Sequence, residues 1–191
     1  MKTEKRDTII TAARDLFGKF GLKKTTMDEI AKFARVGKGT VYKFFKSKEE
    51  VFSNVIDREI ELLKLKLLEA ISKETQPEKM LRTFILTKIN QMKEFVNLYH
   101  ITKRDASEHW PEIVDGEEKI TAQDRNIIKK ILDEGVKRGV FLIKDTALTA
   151  MAIAIAVKGF EIPWVLGGKT YDAERNVDML LEILFNGIKA R

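Results

Sequence analysis

Apolar residues recur along this chain at helical spacing almost from end to end. Ile9, Ala13, Leu16, Phe17 and Phe20 fall on one face of a first helix, and Gly21 supplies its stop. Thr26 followed by Glu29 is a capping box, in which a hydroxyl and a carboxylate satisfy otherwise unpaired amides, and it opens a short second helix through about Ala34. After the tight segment Arg35, Val36 and Gly37, a third short helix is predicted from Lys38 to about Phe45, with Val41, Phe44 and Phe45 available for packing. Ser47 with Glu50 opens a fourth helix, carried to about Ile71 by Val51, Phe52, Val55, Ile56, Leu63 and Leu67. Thr75, Pro77 and Glu78 start a fifth, striped with Leu81, Phe84, Ile85, Ile89, Met92, Phe95, Val96 and Tyr99.

The pattern loosens over 100–119, around Trp110, Pro111 and Gly116, where a short helix and a loop are expected. It returns at Ile127, Ile128, Ile131 and Leu132, and Gly135 and Gly139 close that helix. Asp145 caps a segment so apolar through Val157 that it must be buried on most sides, within the body or against a partner subunit, and Pro163 is expected to kink or end it. A last helix from Asp172 presents Val177, Leu180, Leu181, Leu184 and Ile188 on one side. No period-2 alternation and no internal repeat is found, so the expected fold is all-α with about nine helices.

Composition narrows the class. The 191 residues are 44% hydrophobic and 34% charged, the balance of a globular chain, and only three prolines and eleven glycines interrupt it. The absence of cysteine excludes a disulfide framework, a thiol nucleophile and thiolate metal sites. No secretory leader is recognisable, and the longest uncharged run, 146–157, falls short of the roughly 18 residues that cross a bilayer. These features predict a cytoplasmic protein with no membrane association.

Charge is distributed unevenly. Residues 1–53 hold thirteen Lys and Arg against seven Asp and Glu, which accounts for the entire net charge of +6; the remainder of the chain is neutral. A basic module on a neutral body is the footprint of a nucleic-acid binder, because neutralising phosphates supplies the sequence-independent part of affinity. Two short helices separated by three residues within that module form a candidate helix-turn-helix.

The segment 25–52, TTMDEIAKFARVGKGTVYKFFKSKEEVF, resembles the DNA-binding signature of the tetracycline-repressor (TetR) family. The likeness is carried by Thr26, Ile30, Ala31, Ala34, Val36, Lys38, Gly39, Thr40, Tyr42, Phe45, Ser47, Lys48 and Glu49, and covers about residues 5–56 closely. It implies a three-helix DNA-binding domain over 4–64 and a helical ligand-binding and dimerisation domain over 65–191. The DNA-contacting candidates are Thr26, Lys38, Gly39, Thr40, Tyr42, Lys43 and Lys48, with Gly39 allowing close approach of the helix to the groove and Tyr42 and Lys48 meeting phosphates. Lys43 and Lys46 read equally well as solvated charges. Ile30, Ala31, Val41 and Phe45 are expected in the core. Two positions depart from the family pattern: Arg35 stands where relatives place Gly in the turn, and Gly37 where they place Ser. A left-handed turn at Arg35 would be strained by its β-carbon.

The same resemblance implies a homodimer on a pseudo-palindromic double-stranded DNA operator, released by an apolar small-molecule inducer. The dimer candidates are Met151, Ile155, Val177, Leu181, Leu184 and Ile188, and the ligand candidates Phe84, Met92, Phe95, Tyr99, Trp110, Phe160 and Trp164, aromatic positions that serve equally as core. A constitutive or architectural DNA binder without an inducer remains the alternative. Catalytic and metal residues are not expected, nor is a cofactor: His100 and His109 lie nine apart and would face opposite ways on one helix, and no phosphate loop or nucleophile motif is present.

Overall fold

The computed structural model describes the backbone of residues 2–104, 110–166 and 172–186, and the side chains of 3–91, 115–159 and 172–186. Eight helices, and no strand, occupy those residues: α1 Lys2–Phe20, α2 Met27–Phe33, α3 Lys38–Phe44, α4 Lys48–Ser72, α5 Pro77–Arg104, α6 Trp110–Lys137, α7 Thr146–Leu166 and α8 Ala173–Asn186. None of the helices among the described residues is long and apolar enough to cross a membrane. The chain divides into two compact units, one comprising Met1–Leu62 with Glu94–Lys119 and the other Leu63–Lys93 with Ile120–Arg191.

In the first unit the apolar faces of α1 to α4 close on one core, led by Ile9, Ala13, Phe17, Ile30, Val41, Phe45, Val51 and Phe52. Phe17 meets Phe52 edge to face, with centroids 5.5 Å apart. Polar ties surround it. Arg14 Nε donates to Glu59 Oε1 at 2.7 Å, joining α1 to α4, and the buried Thr25 hydroxyl donates to the Gly21 carbonyl at 2.8 Å. Phe20, expected on the buried face, is instead 49% exposed at the last residue of α1, with the Lys19 ammonium over its ring. Lys119, on α6, reaches Asp57 on α4 at 2.8 Å and Asp115 at 2.7 Å.

Of residues 100–119, where a short helix and a loop are expected, 100–104 and 110–119 are helical, and 105–109 lie outside the described residues. α5 continues to Arg104 and α6 begins at Trp110, with Pro111 in the first turn, where its missing N–H has no intrahelical partner to lose. Gly116 does not interrupt α6. A β-carbon there would lie 2.9 Å from Ile56 Cγ2, so the glycine serves close packing against α4. α7 likewise runs past Pro163 to Leu166. α5 starts one residue later than the capping pattern suggested: the Gln76 carbonyl accepts from Met80, and the Thr75 carbonyl accepts from Arg138 at 2.6 Å.

The second unit buries Leu63, Leu67, Leu81, Phe84, Ile85, Ile89, Ile128, Leu132, Ile153, Val157, Val177 and Leu181. α6 ends in a Schellman motif with Gly139 at φ 71°, its amide and that of Val140 returning to Val136 and Gly135. Gly135 is required by packing, since a β-carbon would fall 2.1 Å from Phe141 Cδ2, whose ring stacks on Phe185. Asp145 caps α7 through the Leu148 amide, and Asp172 caps α8 through the Arg175 amide. Inside this apolar unit lies one ionic contact between α5 and α6: Lys88 Nζ and the Asp124 carboxylate, each 2% exposed.

Candidate nucleic-acid interface

The helix-turn-helix is built by caps at every junction. Thr26 begins α2 in an extended conformation and accepts the Glu29 amide at 3.2 Å, while the Glu29 carboxylate accepts both the Thr26 amide, at 2.8 Å, and its hydroxyl, at 2.9 Å. The Thr26 hydroxyl is therefore committed to the cap in the unbound protein. α2 ends in a second Schellman motif, with Val36 N–H returning to Ala31 and Arg35 N–H to Lys32. The left-handed residue of that motif is Arg35, at φ 54°, as its place in the turn predicts. Gly37 has φ −67°, so it takes none of the strain and acts as the N-cap of α3, without a side-chain hydrogen bond.

Two buried residues fix which way α3 faces. Val41 and Phe45 are sealed into the first core, and Arg6 lies over the Phe45 ring at 5.4 Å. The opposite face therefore turns outward. It carries Lys38, Gly39, Tyr42 and Lys43, all exposed, with Thr40 half-buried beside them and Tyr42 at 48% exposure. A β-carbon at Gly39 would meet nothing within 4 Å, so the protein's own packing does not demand glycine there. Ser47 and Glu50 then cap α4, with the Glu50 amide donating to Ser47 at 3.2 Å, and Lys48 sits half-buried in its first turn.

Asp28, in the first turn of α2, was not among the candidates. Its carboxylate holds the Lys38 ammonium at 2.7 and 2.9 Å, and that hydrogen bond, then the charge behind it, keeps Lys38 protonated above its ordinary range. The partners are ten residues apart on different helices, a separation with no periodic signature in sequence.

The remaining candidates are distributed more widely. Phe84 is fully buried in the second core, whereas the side chains of Met92, Phe95, Tyr99, Trp110, Phe160 and Trp164 lie outside the described residues, as does Ile188. Of the proposed dimer positions, Met151, Ile155 and Leu184 are exposed. Val177 and Leu181 turn into the core of their own protomer, because α8 packs on the second unit through that stripe; its outward apolar residues are Met179, Ile183, Leu184 and Phe185. Among the described residues no three His, Asp or Glu side chains gather as a metal site.

Comparison with known proteins agrees with this geometry. Residues 9–55 match the family described as bacterial regulatory proteins, tetR family. Over its whole length the chain is 30% identical to the HTH-type transcriptional regulator YhgD of Bacillus subtilis (strain 168), itself uncharacterised, across 100% of both chains. It is 26% identical to the fatty acid metabolism regulator protein of the same organism, covering 98% of this chain and 97% of that one. The fold is shared with Bacillus subtilis FadR crystallised with stearoyl-CoA, at TM-score 0.70 and 24% identity, covering 96% of this chain and 99% of that one. The chain belongs to the TetR family and is a helix-turn-helix, DNA-binding transcriptional regulator.

Proposed function

We propose that this regulator is a repressor that binds a pseudo-palindromic operator as a homodimer and is released from it by a fatty acyl-CoA. The observation that carries the DNA-binding part is the outward face of α3: Lys38, Gly39, Thr40, Tyr42 and Lys43 stand together on a helix whose other side is locked by Val41 and Phe45. A helix of two turns presented this way fits the major groove, with Thr40 and Lys38 towards base edges and Tyr42, Lys43 and Lys48 towards phosphates. Such a protein acts where the operator is, in the cytoplasm.

Dimerisation is supported by apolar surface. Leu148, Met151 and Ile155 on α7, with Met179, Ile183 and Leu184 on α8, are all exposed, and a second copy would cover them. Two recognition helices then meet successive major grooves about 34 to 36 Å apart. The inducer class rests on the relatives: a fatty acid metabolism regulator resembles this chain over nearly its full length, and a regulator of the same fold was crystallised with stearoyl-CoA.

Selection of duplexes from a random pool, followed by titration of the selected site with stearoyl-CoA, tests the reading. A palindromic consensus and an operator affinity that falls at least tenfold with ligand are expected. Binding insensitive to acyl-CoA would leave a constitutive DNA binder, and no salt-sensitive binding to any duplex would overturn the reading.

A further inference from the structure

We propose that Asp28 is a specificity-determining residue of the DNA-binding surface, holding the Lys38 ammonium back from duplexes of the wrong sequence. The inference rests on the DNA-binding reading of α3. Lys38 opens the recognition helix, and its ammonium spans both oxygens of the Asp28 carboxylate, at 2.7 and 2.9 Å. Both side chains are well exposed, so the pair contributes little to stability. Capping of α2 belongs to Thr26 and Glu29, which leaves Asp28 no part in that bond network. Among the described residues no carboxylate pairs with Lys43 or Lys46, so the cation at the start of α3 is singled out.

The consequence follows from how charge contributes to DNA binding. Non-specific affinity comes from cations that displace condensed counterions from phosphates. Lys38 can meet a phosphate only by leaving Asp28, an exchange of one ion pair for another, and the carboxylate left behind faces the duplex with like charge. On a wrong sequence that exchange brings no gain. On the operator, the remaining contacts hold the groove in register and bring a fixed acceptor, such as guanine O6 and N7, to the ammonium, which rewards the exchange. Asp28 thus weakens the wrong complexes more than the right one, which is how specificity arises from an unfavourable element.

The test uses the full chain with Asp28→Asn and a short duplex of scrambled sequence, its affinity followed by anisotropy across a salt series. The slope of log affinity against log salt should steepen by about 0.9, equivalent to a rise of about fivefold near 0.15 M salt, because one more phosphate is neutralised. In a Lys38→Met background the same substitution should raise affinity clearly less, since only the like-charge repulsion is then relieved and Asp28 has no ammonium to withhold. Asp28→Ser provides the same comparison if the amide variant is poorly folded. An unchanged slope in the variants, or an equal rise in the Lys38→Met background, overturns the inference alone. Failure of the unaltered protein to bind any duplex overturns the repressor reading, and this inference with it.

Discussion

Arg35 carries a left-handed backbone that its β-carbon disfavours by about 1 to 2 kcal/mol, against the roughly 0.5 to 1 kcal/mol of unfolded-state entropy that a glycine would add. Arg35→Gly is therefore expected to stabilise the protein by about 0.5 to 1 kcal/mol in urea unfolding, whereas Arg35→Val, with a branched β-carbon, should destabilise it. Gly39 behaves oppositely. Its β-carbon position is open, so Gly39→Ala should raise thermal stability by up to about 1 kcal/mol through helix propensity while weakening operator binding, because in the proposed docking the added methyl faces the duplex. Tyr42→Phe removes one hydroxyl from an exposed ring, and losing the phosphate bond proposed for it, worth about 1.5 kcal/mol, predicts a drop of roughly tenfold on operator and scrambled duplex alike. Preference between the two should move with Thr40→Ala instead, as competition binding would show.

At the scale of elements, caps and glycines explain what was legible in advance. The Thr26–Glu29 box and the Asp145 cap are local rules, and each lies where the sequence placed it; at Ser47 the hydroxyl accepts the Glu50 amide as expected, while the Glu50 carboxylate returns to the Lys46 amide instead of completing the box. The misreading at Gly116 has a clear cause: the glycine was taken as part of a break, yet it answers to Ile56, a residue sixty positions away. Long-range partners of this kind have no periodicity to reveal them, and the same holds for Asp28 with Lys38. Gly135 makes a sharper test of packing. Gly135→Ala must displace the Phe141 ring from its stack on Phe185, with an expected cost of about 1 to 3 kcal/mol. α8 is also fastened to α5 by Arg82, whose guanidinium donates to both Asp178 oxygens at 2.6 and 3.0 Å. The Arg82 hydrogen bond holds the Asp178 carboxyl below its usual 3.8. That contribution is present above the ordinary carboxylate range and is lost as pH falls through the lower, folded-state value. Because both side chains are half exposed, Asp178→Asn should cost only about 0.5 kcal/mol at neutral pH and nothing at the acid end of a pH series of urea unfolding curves.

At the scale of the whole molecule, sequence separated a basic N-terminal segment from a neutral remainder, and the family resemblance supplied the expectation of a dimer. Which residues of α8 face outward was not legible, because Val177 and Leu181 share the apolar period of Leu184 and only packing distinguishes them. Ile155→Asp, at a position 56% exposed, is expected to shift the protein to a monomer in sedimentation and to reduce operator affinity at least tenfold, with little change in the melting of the protomer. Val177→Asp should unfold the second unit instead, since it buries an unpaired charge. The Lys88–Asp124 contact extends that logic to heredity. Removing either charge alone unbalances a buried pair, at an expected cost of about 3 to 5 kcal/mol, whereas exchanging both for apolar residues of similar volume should be tolerated. The two codons are therefore expected to change together rather than one at a time in descendants of this gene.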